Sequence, residues 1–207
     1  MATIRGWSVQ PWTVWEQLDA EGSLTVDPSY VAEVHHAYEW LRPRLATHIP
    51  GYSGHYPWWA HIRRPDLRGV RHEKPAGERF ALLELQLPRK LVVLLRFWAW
   101  DLIFYGYYLS ATPGPSRTWH RRLKEHVPNE EDIWPLPSPW QEELEASWEL
   151  LFDPVLPVAG WRPGGGPASH DVDIVFEKLD RSYVRTITSF LGARRSLEPR
   201  LLHSDRA

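Results

Sequence analysis

The sequence predicts an α+β domain with a mostly antiparallel sheet and flanking helices. Three observations carry this. Four segments, TIRGWSVQ, WWAHI, FALLELQLP and HDVDIVFEKL, alternate their side chains at the two-residue period of a strand. Between them lie segments whose apolar residues recur at helical spacing. The two kinds do not alternate regularly, as strand–helix–strand units of a parallel sheet would. The 207 residues suffice for one full-sized domain, placed at 1–193, with a loose polar tail at 194–207.

TIRGWSVQ sets Arg5, Trp7 and Val9 on one face and Ser8 and Gln10 on the other. Pro11 then opens a short helix with Trp12, Trp15 and Leu18 at helical spacing, ended by Gly22. Asp27-Pro28 is a second helix start, a carboxylate cap followed by proline at the first helical position. Val31, Val34, Tyr38, Leu41 and Leu45 form its apolar stripe, and Pro43 is expected to end or kink it.

WWAHI follows as a strand with Trp58, Ala60 and Ile62 on one side and Trp59, His61 and Arg63 on the other. Residues 64–79 read as a charged loop containing glycine and proline. FALLELQLP is the clearest strand, with Ala81, Leu83, Leu85 and Leu87 on one apolar face. KLVVLLR continues as a further strand and FWAWDLIFYGYY as a buried helix. The apolar run from Leu91 to Leu109 is not a membrane span. It contains Arg96 and Asp101, and such charges cost about 2.5–3.5 kcal/mol each at a bilayer centre.

Residues 117–126 are the most basic segment and read as the solvated face of a short helix held by Trp119 and Leu123. Ser138-Pro139-Trp140-Gln141 matches a capping box before a helix burying Trp140, Leu144, Trp148 and Leu151. The loop RPGGGPASH precedes HDVDIVFEKL, the last convincing strand. There Val172, Ile174 and Phe176 face the core, while Asp171, Asp173 and Glu177 share the opposite, polar face.

Composition narrows the chemistry. With 24 basic and 26 acidic residues the chain lacks the basic excess of a duplex-DNA binder. The absence of cysteine removes disulfides, thiolate nucleophiles and cysteine zinc sites, and it fits a soluble cytoplasmic protein. MATIRGWSVQPW has no secretory pattern. The ten histidines form no H-x-x-x-H pair, so no metal is expected. RPGGGP lacks the Lys-Ser/Thr of a phosphate loop, and no G-x-S-x-G marks a serine hydrolase.

The remaining candidates are polar groups on sheet faces. Thirteen tryptophans exceed ordinary usage, and most should be core. In GHYPWWAHIRRPDLRG, however, rings sit beside positive charge. A wet sheet face seldom carries an indole and an imidazole in its middle, and polar groups converging beside aromatics are how ligand pockets look.

The order of these elements resembles the bacterial family named domain of unknown function 3841. The likeness runs from WSVQ and WTVWEQLDAEG through GHYPWWAH, FALLELQLP and SWELLFD to DVDIVFEKLDRSYVRTITSF. More distantly, the layout is similar to ADP-ribosyltransferase-like domains. These open with a strand, helix and glycine and end with an acid-bearing strand and a D-x-x-x-V turn. That resemblance implies NAD as co-substrate and possible transfer of ADP-ribose or NAD glycohydrolysis. Arg5 or Ser8 would take the place of the basic first-strand group that grips NAD. Trp59, His61 and Arg63 would line the cleft, and Asp173 or Asp171 would stand for the glutamate that steadies the ribosyl cation. The alternative is a non-catalytic module holding a nucleobase, a small aromatic ligand, a peptide or a single strand by stacking.

Overall fold

The computed structural model describes residues 2–127, 135–153 and 172–193, with backbone alone at 32–35. Its longest ladder joins β1 (Thr3–Pro11) to β4 (Arg79–Pro88), running from Thr3 opposite Pro88 to Pro11 opposite Phe80. The apolar face Ala81, Leu83, Leu85 and Leu87 is buried as its alternation requires. β3 (Trp58–His61), β5 (Val93–Arg96) and β6 (Val172–Phe176) make the other half of the sheet, and β8 (Val184–Leu191) is its edge beside β4. The strand order is β5-β6-β3-β1-β4-β8, every neighbouring pair antiparallel. A separate ribbon pairs β2 (Ser23–Leu24) with β7 (Leu179–Asp180). The chain is an α+β domain.

Because facing residues on paired strands share a side, two cores form. Ala60, Leu83, Leu85, Ile174 and Phe176 pack with Leu24 and Leu179 of the ribbon and with Trp15 and Leu18 of α1 (Trp12–Glu21). Gly22 ends α1 at a left-handed φ of 79°, its N–H bonded to the Leu18 carbonyl at 2.9 Å. On the other side Val93, Leu95 and Val175 join the helical cluster. It is built by α2 (His35–His48), α4 (Phe97–Phe104), α5 (Pro113–His126) and α6 (Trp140–Ser147). Trp148 is fully buried there, its indole N–H donating to the Tyr107 carbonyl at 2.9 Å and its ring edge-on to Trp40.

Local expectations are corrected in six places. Asp27 accepts from the Ser29 N–H at 2.8 Å, but a 3-10 stretch (Pro28–Val34) comes before α2. α2 runs through Pro43, held on either side by the fully buried Leu41 and Leu45. Residues 64–79 are not all loop: α3 (Leu67–Glu73) forms because the Asp66 carboxylate accepts from the Arg68 N–H at 3.0 Å, outweighing Gly69. Ser138 does not cap α6; its hydroxyl donates to Glu142 at 2.6 Å instead. After β6 the chain adds β8, whose Thr and Ser positions suit an exposed edge.

The sixth concerns β6. It lies between β5 and β3 and is covered on both sides, so Asp173, Ile174, Val175 and Phe176 are all buried. The side carrying Asp173 is therefore no wet face. Among the described residues no helix is long and apolar enough to cross a membrane. RPGGGP and the tail from Arg194 lie outside the described residues.

Candidate functional site

β1 and β3 share a ladder only one pair long, Trp7 opposite His61. Where backbone pairing stops, a side chain takes over: the buried Ser8 hydroxyl donates to the Trp59 carbonyl at 2.9 Å and accepts from the Gln10 amide at 2.8 Å. Between Ser8–Pro11 on one strand and Pro57–Trp59 on the other opens a cavity of about 580 Å³. That is a volume suited to a small ligand or cofactor.

β3 is fixed from both flanks. The Glu177 carboxylate, just past β6, accepts from the backbone N–H groups of Ser53 at 2.7 Å and His55 at 3.0 Å. This holds the turn that leads into the strand. On the other flank the Trp58 indole donates to the Leu24 carbonyl at 3.2 Å. Trp58 and Trp59 thereby enter opposite cores, as strand alternation demands.

The aromatic wall comes from three elements. Trp59 of β3 lies tilted against Trp100 of α4, centroids 5.2 Å apart, and Tyr38 of α2 lies 4.9 Å from Trp100. Burial raises the Tyr38 phenol above its ordinary pKa, and the neighbouring Trp59 indole opposes this. The two do not reach hydrogen-bond geometry, and Trp59 Nε1 has no partner among the described residues. Tyr30 and Phe97, both solvent-exposed, add rings to the cavity lining.

The polar wall centres on one pair. His61 Nδ1 stands 3.1 Å from the Asp173 carboxylate, the two residues facing each other across the β3–β6 ladder. Asp173 is 4% exposed, whereas the His61 side chain is 48% exposed and lines the cavity. The hydrogen bond to Asp173 raises the imidazole pKa, burial opposes it, the Asp173 and Glu73 charges add to the rise and Lys74 subtracts. Lys74, at the end of α3, also lines the cavity.

Of the residues singled out in the sequence, Ser8, Trp59, His61 and Asp173 line this one cavity. Arg5 and Arg63 are not among its lining residues. Arg5 lies on the open face of β1, 3.4 Å from Glu84, which also accepts from the Thr186 hydroxyl. Asp171 lies outside the described residues. Tyr38, Trp100 and Lys74 were not foreseen as cavity residues, since all three lie on or next to helices whose docking no local pattern records. Gln10, on the Ser8 face of β1 and among the polar sheet-face groups of the sequence, also lines the cavity.

Residues 5–156, well over half of the chain, match the model of a family described as a domain of unknown function (DUF3841). The chain belongs to the DUF3841 family. No curated protein and no solved structure matches it. The part that defines the DUF3841 domain holds Ser8, Trp59 and His61, while Asp173 comes from a strand beyond it. Among the described residues of this DUF3841 protein, no group of histidines and carboxylates could hold a metal.

Proposed function

We propose that the cleft binds a nucleotide with a planar ring, NAD or a close relative, in an ADP-ribosyltransferase-like manner. One observation carries the reading: a single cavity combines the rings of Trp59, Tyr38 and Trp100 with the polar groups Ser8, His61 and Asp173. The outer face of Trp59 takes the flat ring by stacking. Lys74 attracts the phosphates, and the Asp173 carboxylate favours positive charge developing at the ribose.

The test is incubation of the pure protein with NAD, following nicotinamide by chromatography and the melting temperature in parallel. Binding raises the melting temperature with ligand concentration. The absence of both a melting shift and released nicotinamide at millimolar NAD would overturn the proposal.

A second reading, a binding module without catalysis, is favoured by the place of Arg5. A shift in melting temperature without any nicotinamide release, in every buffer tried, supports that module.

A further inference from the structure

The His61–Asp173 pair has a chemistry of its own beyond lining a pocket. The carboxylate is buried and meets Nδ1 at 3.1 Å, and the imidazole reaches into the cavity. A carboxylate at Nδ1 fixes the neutral ring as the tautomer with its proton on that nitrogen. Nε2 is then the nitrogen with a lone pair to offer. A half-exposed imidazole held by a buried carboxylate is built to accept a proton from water or a hydroxyl group.

We infer that His61 is the base that takes a proton from water attacking the ribose of the bound nucleotide, so that the cleft hydrolyses an N-glycosidic bond. This rests on the nucleotide reading above and names water as the second substrate. The water oxygen bonds to C1′ as the bond from C1′ to the ring nitrogen breaks. That electron pair stays with the nitrogen, so the pyridinium of NAD leaves as neutral nicotinamide. The water proton passes to His61 Nε2 and then to solvent. The products are ADP-ribose, nicotinamide and one proton, with no oxidant or reductant consumed. Asp173 acts through the imidazole and is a positioning residue in this step.

The charged groups facing His61 are Asp173 from β6 and Glu73 and Lys74 from the end of α3. His61 works as a base only when neutral. The rate therefore rises with pH and levels off above the imidazole pKa, which the Asp173 hydrogen bond holds above its ordinary value. Asp173→Asn removes that acceptor charge, so the rising limb must move to lower pH. A merely structural role for Asp173 would change the rate without moving the limb.

The experiment measures nicotinamide release by the full chain at saturating NAD between about pH 5 and about pH 9, with NAD binding followed by calorimetry. The variants are His61→Ala, His61→Asn, which keeps an N–H for Asp173 and so guards the fold, and Asp173→Asn. Both His61 variants should bind NAD yet lose about 10²- to 10⁴-fold in release, and added imidazole should restore part of it in His61→Ala. Release that survives both His61 variants, NAD binding by the wild type without turnover, or a limb unmoved in Asp173→Asn overturns the base. A wild type that binds no NAD overturns the nucleotide reading and the base with it.

Discussion

Ile174 reaches across Ala60 to lie on Gly6: a Cβ built on Gly6 would stand 2.8 Å from Ile174 Cδ1 and 3.3 Å from Ala60 Cβ. Two small residues on neighbouring strands thus make room for one long side chain from a third. Gly6→Ala should destabilise the protein by about 1–3 kcal/mol through overpacking. Urea unfolding of the single variant and of Gly6→Ala with Ile174→Val tests this. The second change deletes the clashing methyl and should recover part of the loss; equal stability of the single variant and wild type would refute the contact.

Ser8 replaces a missing rung of the ladder between β1 and β3. Ser8→Ala leaves the Trp59 carbonyl and the Gln10 amide without this partner inside the protein. The expected cost is about 1–3 kcal/mol, the range for stranding a buried polar group. Chemical denaturation measures it, and a neutral result would mean that solvent reaches this corner of the cleft freely.

Trp148→Ala removes a fully buried ring, its bond to the Tyr107 carbonyl and its edge contact with Trp40. A loss of about 3–5 kcal/mol is expected, a large share of what a domain of this size has. Trp59→Ala should be milder, because Trp59 is only partly buried. Thermal melts of the two variants side by side decide the order.

The His61 imidazole should titrate above its ordinary value in the folded protein. A group whose folded pKa is raised contributes stability that is fully present below the unfolded value, about 6.5, and is lost as pH rises through the folded one. The melting temperature of the wild type should fall relative to that of Asp173→Asn across that window. NMR titration of the His61 ring gives the pKa itself, and a value at or below the ordinary one would refute the pairing.

Much of this architecture is legible in the sequence where one side of an element is wet. β1 and β4 show their alternation openly because Arg5, Glu84 and Gln86 mark the outer face. β6 does not, since Asp173 and Glu177 mimic a wet face. In fact Asp173 is buried because β6 is covered on both sides, where it meets His61, and Glu177 is engaged by two backbone N–H groups. α3 was hidden because its cap is a single aspartate within a charged stretch. At the site, Trp59 and His61 stood out through their juxtaposition of ring and charge. Tyr38 and Trp100 did not, because their helical stripes look the same whether they meet a core or a cavity.

The arginines near the aromatic residues have a plain structural use in several places. Arg79 lies over Trp12 at 3.5 Å, Arg44 over Trp40 at 4.2 Å and Arg181 over Trp15 at 4.7 Å. Each covers ring surface that would otherwise face water.

The position of β6 carries a consequence for how the protein is made. The strand that fills the gap between β3 and β5 is synthesised more than a hundred residues after β3. Until residue 176 has left the ribosome, both neighbours present unpaired edges and His61 has no carboxylate. The nascent chain must keep β5, still a lone strand, and the open edge of β3 from joining other chains. A message truncated after the DUF3841 match would yield a polypeptide locked in that state, a substrate for chaperones and proteases.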